Sequence, residues 1–255
     1  EYPEITTAVI SELNEVGAET NVSTGYHAVE FLLWGQDKSE EAGGGERPFT
    51  DYTAGGTNDH QERRGKYLLA ATGLIVQDLQ SLVNEWNPEG GEYRQFFLSK
   101  AEQTNSVEKI LSGLGKLSKG ELAGERMFVS WDLRSKEDEH SCFSDNTHRD
   151  IVVNAQGILN VYTGTYVRND GTKITGVSIQ DLVALANEDL AKEIASKMEE
   201  SVKAAKAIQP PFDQEILDTE GRKRIAKTIQ FLRTQGDLLA EAATLLGFAF
   251  DPEDL

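Results

Sequence analysis

The chain has 255 residues, enough for one large core or two ordinary ones, and its 38% hydrophobic and 27% charged residues exclude a disordered protein. A net charge of −18 argues against nucleic-acid binding, because the phosphate backbone would be repelled; the best basic cluster, Arg222-Lys223-Arg224, reads as a solvated helix face. The single cysteine, Cys142, excludes an intrachain disulfide framework, and no apolar run reaches the roughly 18 residues of a membrane span.

The chain opens at Glu1-Tyr2-Pro3 rather than at Met and is read as a mature, processed or truncated form, which leaves room for a targeting segment removed upstream. Short helices are expected at residues 6–16 and 23–34. A long helix over 57–86 starts at Thr57 as N-cap and carries Leu68, Leu69, Leu74, Ile75, Leu79, Leu82 and Val83 at three-and-four spacing, until Pro88 and Gly90-Gly91 stop it. Residues 93–117 repeat the pattern through Phe96, Phe97, Ala101, Val107, Ile110, Leu111 and Leu114. Shorter helices follow over 121–131 and 147–163. The segment 173–177 lies between glycines and reads as loop. One long helix is expected over 178–208, capped by Ser178 and closed by Pro210-Pro211, and a last one over 219–248. The chain is therefore predicted to be all-α, built of helical bundles with antiparallel neighbours. Loops 38–56 and 134–146 are long for a bundle and are the natural places for function.

An internal echo runs through this pattern. Phe31-x-x-Trp34 precedes Phe49-Thr50-Asp51 and a long helix; Phe128-x-x-Trp131 precedes Phe143-Ser144-Asp145 and another helix. The aromatic pairs lie 97 residues apart and the triplets 94 apart. The preferred reading is two helical-bundle halves related by duplication, residues 1–118 and 119–255. In that register His27 falls opposite Gly124 and Glu30 opposite Met127, so the aromatic pair is duplicated while the His and Glu are not.

The candidate chemistry centres on that His and Glu. Gly25-Tyr26-His27-Ala28-Val29-Glu30 places His27 and Glu30 three residues apart on an apolar helix, hence on one face. Imidazole nitrogen and carboxylate oxygen together suit a borderline divalent or ferric ion, although two ligands do not complete a site and a buried His–Glu pair satisfies the same pattern. Further ligands or lining groups are expected from Glu139, His140, Asp145 and His148, in an acidic loop that also holds Cys142. The bland alternative is a solvated loop in which Asp145 or Thr147 caps a helix. Cys142 reads as a buried or semi-buried thiol rather than a nucleophile. Arg47 either binds an oxyanion or pairs with Asp51. No His-Glu-x-x-His motif, Gly-x-Ser-x-Gly elbow or dinucleotide fingerprint occurs.

Gly25-x-His27-x-x-Glu30 followed by Phe31-Leu32-Leu33-Trp34-Gly35 and Arg47-Pro48-Phe49-Thr50-Asp51 resembles the imelysin family, and Ser141 through Asp150 resembles its iron-regulated protein A branch. The resemblance implies an all-helical fold of two bundle-like halves with the site near their junction, and a bacterial extracytoplasmic location, periplasmic or lipid-anchored. It further implies a link to iron acquisition, an uptake-system partner outside this chain, and a motif first catalogued as a zinc-peptidase signature. Family members carry a helical segment ahead of the motif, whereas here 24 residues precede Gly25, so helices of the first bundle are expected to be missing. The reading favoured is a binding protein that holds iron, zinc or a metal chelate through His27 and Glu30. A zinc peptidase using the same pair, with its general base unassigned, and a helical interaction protein without metal are the alternatives.

Overall fold

The computed structural model describes residues 2–38 and 43–248. It is 66% helical and 2% strand, as the periodicity predicts. The chain divides into two compact units, Glu1–Leu98 and Ser99–Leu255; the sequence pattern placed the division at residue 118, inside what proves to be a continuous helical run.

The first unit contains α1 (Thr7–Leu13), α2 (Gly25–Trp34), a 3₁₀ turn at Phe49–Tyr52, α3 (Gln61–Glu85) and α4 (Glu92–Phe97). Its core is small: Ile10, Leu32 and Ala71, flanked by Val29, Tyr67, Leu68 and Leu74. Polar ties supplement it. Asn14 Oδ1 accepts from the backbone N–H groups of Ser23 and Thr24, and Tyr67 donates its hydroxyl to the Ser23 carbonyl at 2.8 Å, which together fix the entry to α2. Leu69, Leu79, Leu82 and Val83, expected on the packing face of α3, are exposed. Thr57 does not cap α3 either; the helix begins after His60 in a left-handed conformation (φ +67°), and Thr57 is used elsewhere, as described below.

The second unit runs from α5 (Gln103–Gly115) into a π-helix over Lys116–Phe128, then α6 (Val129–Leu133), a 3₁₀ turn at Lys136–Asp138, α7 (Thr147–Thr163), α8 (Ile179–Ala186), α9 (Glu188–Ala205), α10 (Phe212–Glu215) and α11 (Thr219–Leu245). Four expectations change here. The helix expected over 93–117 is two, α4 and α5. Residues 121–131 are helical but wound mainly as π, a form that an argument built on 3.6 residues per turn does not distinguish. The helix expected over 178–208 breaks at Asn187, whose extended backbone lets its side-chain oxygen accept from the N–H groups of Asp189 and Leu190, both at 3.1 Å; a local cap outcompetes helix continuation. Lys173–Thr175 is not loop but the second strand of a hairpin, β1 (Thr165–Val167) with β2 (Lys173–Thr175), in the register Tyr166↔Ile174. Ser178 caps α8 as expected, with Asp181 completing a capping box.

The main core lies in this unit, with Met127, Ile151, Tyr162, Ile194, Met198, Phe212 and Leu232 among its buried members. The π-helix and α11 approach very closely: a Cβ on Gly236 would meet Lys119 Cβ at 2.8 Å, and buried Ser118 donates to the Leu232 carbonyl at 2.7 Å. The cluster Arg222-Lys223-Arg224 is not simply a solvated face. Arg222 stacks 4.5 Å over the Trp131 ring and donates to the Trp131 carbonyl, while Arg224 holds the buried Glu215 carboxylate through two bonds.

Candidate functional site

Gly25 opens α2 with φ +84° and open space where a Cβ would stand, so glycine is required there by backbone conformation rather than by crowding. Two residues on, His27 projects from the helix, and one turn later Glu30 follows. Their side chains meet: His27 Nδ1 lies 2.7 Å from Glu30 Oε2. A carboxylate accepts, so Nδ1 donates. The Glu30 side chain is 10% exposed and the imidazole 44% exposed, which sets the charged end inside and the ring toward solvent. The burial of Glu30 and its need for a partner follow from its apolar neighbours; that the partner is His27 is a finding of the structure.

After α2 the chain folds back on itself. Arg47 N–H donates to the Trp34 carbonyl at 2.8 Å, and Gly45 is so close to this crossing that a Cβ would stand 2.5 Å from the Trp34 carbonyl oxygen and 2.6 Å from that of Gly35. Arg47 bonds Asp51 Oδ2 at 3.1 Å and the Phe31 carbonyl at 3.2 Å, with its guanidinium 5.4 Å from the Phe31 ring centre. Arg47 therefore pairs with Asp51, one of its two expected roles. Tyr52 donates its hydroxyl to the Leu32 carbonyl, which pins the 3₁₀ turn to α2. Phe31, Trp34, Asp37, Arg47 and Asp51 line a cavity of about 610 Å³ beside this crossing.

Asp51 is 1% exposed and is the hub of the turn. Thr57 and Asn58 donate to Oδ1 at 2.7 and 2.9 Å, and Arg64 donates to the Asp51 carbonyl. The Thr57 hydroxyl foremost, then Asn58, Arg47 and the Arg64 charge, outweigh desolvation and hold the carboxyl below the ordinary carboxylate range. Thr57, Asn58 and Arg64 are site-building residues that the sequence pattern did not reveal. The one usable signal was proximity, since Thr57 and Asn58 stand six and seven residues after Asp51 and carry donors. Because the folded pKa is depressed, this contribution is complete above the unfolded value of about 3.9 and lost as pH falls through the lower folded value. An acid titration of wild type followed by circular dichroism should therefore show a stability loss below about pH 4 that is blunted in Asp51→Asn; identical acid profiles would refute the assignment.

In the second unit, Glu139 and Asp145 are buried, Asp145 with φ +56°. His140 Nδ1 lies 3.8 Å from Asp150 Oδ2, which accepts from Ser141 Oγ at 2.5 Å. The Ser141 N–H donates to Thr147 Oγ1 at 2.8 Å. Asn146, not Asp145 or Thr147, stands at the N-cap position of α7, and its side chain makes no capping bond. His148 stands in the first turn of α7 with Nδ1 buried, and Cys142 is half-buried. The loop is internally bonded rather than solvated. Among the described residues no group of three or more His, Cys, Asp or Glu side chains is placed to hold a metal ion.

The family model described as Imelysin matches residues 3–239, a span that includes the α2 pair and the turn around Asp51. The chain belongs to the imelysin family. Among solved structures, this imelysin-family chain is similar to one from Parabacteroides distasonis, described as a candidate iron-regulated protein A precursor, with a TM-score of 0.62 and 16% identity over 95% of this chain and 73% of that one. At that identity the likeness carries the fold. No curated protein sequence matches the chain. Among the described residues of this imelysin-family protein no helix is long and apolar enough to cross a membrane.

Proposed function

We propose that this imelysin-family chain is an extracytoplasmic binding protein associated with iron acquisition, which holds an iron or zinc ion, or a metal chelate, at His27 and Glu30. The observation that supports it most is the 2.7 Å bond between a half-exposed imidazole and a buried carboxylate on one turn of α2. Metal-binding histidines are commonly oriented in this way, by a carboxylate that fixes the tautomer and raises the basicity of the other ring nitrogen. In this reading His27 is the donor to the metal, and Glu30 either orients it or joins it as an oxygen ligand. Family membership, the name of the Parabacteroides structure and a charge of −18 that favours cations are in keeping with the reading. A lipid anchor and an uptake-system partner would lie outside this chain.

Peptidase chemistry needs a third protein ligand to zinc and a general base. Asp51, the acid built most firmly into the cavity beside α2, is a weak base because its oxygens are already taken by Thr57, Asn58 and Arg47. Binding is therefore favoured over catalysis.

The test is metal content after loading wild type, His27→Ala, Glu30→Ala and Glu30→Gln separately with ferrous iron and with zinc, followed by desalting. Wild type should retain metal and His27→Ala should fall to background. Glu30→Gln should bind about 10–100-fold more weakly, the usual cost of losing an orienting partner. Equal metal in all four proteins would sink the site. Chelator-sensitive peptide hydrolysis lost in His27→Ala would instead support the peptidase reading.

A further inference from the structure

The two Phe-x-x-Trp segments share more than sequence. In the first unit the Arg47 guanidinium lies 5.4 Å from the Phe31 ring centre; in the second the Arg233 guanidinium lies 4.9 Å from that of Phe128. Each aromatic pair lines a cavity next to its arginine, and the second cavity has a volume of about 260 Å³. The difference lies in what the arginine holds. Arg47 is bonded to the Asp51 carboxylate and the Phe31 carbonyl. Among the described residues Arg233 has neither a hydrogen bond nor an ion pair, and its guanidinium lies over the Phe128 ring. Asp237, one turn further along α11, is engaged by Lys119 at 2.9 Å.

The walls of the second cavity are rigidly held. Phe128 and Trp131 stand 5.8 Å apart with their planes inclined by 34°. Trp131 is fixed from both sides: its Nε1 donates to the Arg222 carbonyl at 3.0 Å, and Arg222 in turn stacks on the indole and donates to the Trp131 carbonyl. The remaining wall is α11, which contributes the apolar Ala226 and Ile229 together with the polar Gln230, Thr234 and Asp237, the last already engaged by Lys119. A slot with aromatic and aliphatic walls on one part and polar groups on the other thus holds a guanidinium over the Phe128 ring face, and Arg233 has no carboxylate paired to it among the described residues.

We infer that this slot, lined by Phe128, Trp131 and Arg233, is a binding site for a small planar carboxylate of about benzoate size. The first unit supplies the chemical precedent: there a carboxylate, Asp51, meets the arginine that stacks on the phenylalanine. Arg233 receives the carboxylate through the bidentate geometry that guanidinium favours, while Phe128, Trp131 and Ile229 take the ring. The volume limits the ligand, since pockets for drug-sized molecules run from about 300 to 1,000 Å³. The inference is independent of the metal reading, because it uses no residue of α2.

Isothermal titration with sodium benzoate at constant ionic strength tests it, with benzyl alcohol as the uncharged counterpart. Wild type should bind one benzoate with a Kd on the order of 1 mM or tighter. Arg233→Ala should weaken binding at least about tenfold, Phe128→Ala should weaken it too, and benzyl alcohol should bind at least about tenfold more weakly than benzoate. Arg233 is exposed, so its replacement tests the ligand contact without disturbing the core, and circular dichroism checks this. The proposal is overturned if benzoate shows no saturable binding to wild type, or if Arg233→Ala binds as wild type does. It is equally overturned if binding survives Arg233→Ala and disappears in Arg47→Ala, which would place the ligand in the first unit.

Discussion

Replacing Phe212 by alanine should destabilise the protein by about 3–5 kcal/mol, the usual cost of emptying a buried aromatic site. Phe212 is 0% exposed and belongs to the large core of the second unit. It opens the short helix α10, between α9 and α11, and Ile208 and Ile216 on either side of it in sequence are buried in the same cluster. Truncation there removes contact area and leaves a void that two long helices cannot close without shifting. Against total stabilities of about 5–15 kcal/mol, the loss is large enough to move a urea midpoint by on the order of 1 M or more. Phe212→Leu preserves most of the volume and should cost less than about 1.5 kcal/mol. Urea unfolding of the three proteins should rank them wild type, Leu, Ala; an alanine variant that unfolds with wild type would show that the site is not packed as described.

The second large effect has the opposite sign. Gln235 is 0% exposed, and neither its side-chain nitrogen nor its oxygen has a hydrogen-bond partner among the described residues. It sits on the face of α11 that meets the π-helix, between Leu232, whose carbonyl accepts from Ser118, and Gly236, which abuts Lys119. A buried amide without partners costs free energy that an apolar side chain of similar length does not. Gln235→Met should therefore stabilise the protein by about 1–3 kcal/mol, read as a higher urea midpoint at unchanged slope. Destabilisation in Gln235→Met would mean that the amide supports the π-helix, and the sign of the shift decides between the two.

Much of the helical organisation was legible in the sequence because helices are written locally. Ser178 with Asp181 made a readable cap, and α7 was bounded as the pattern predicted. His27 and Glu30 were legible as neighbours for the same reason, lying one turn apart on α2, whereas Arg47 precedes the 3₁₀ turn and its bond to Asp51 was one of two roles the sequence left open. What escaped depended on alternatives of similar local energy. Asn187 both fits a helix and caps one, and only the structure shows that it starts α9 anew. The apolar positions of α3 promised a packing face, yet Leu69, Leu79, Leu82 and Val83 are exposed, since periodicity says which residues share a face and not what covers it.

The sequence by itself determined the helical class and put His27 and Glu30 on one face of α2, because these rest on residues three or four apart, while its longer motifs carried the resemblance to the family. Only the tertiary structure decided that Thr57 serves Asp51 instead of capping α3, that Arg222 fixes Trp131 instead of facing solvent, and that Arg47 is paired while Arg233 is not. Most of those outcomes turn on which side chains meet through folding of the chain across loops or many tens of residues. A one-dimensional pattern carries little of that information, because burial and pairing energies belong to the assembled contact and not to either residue alone.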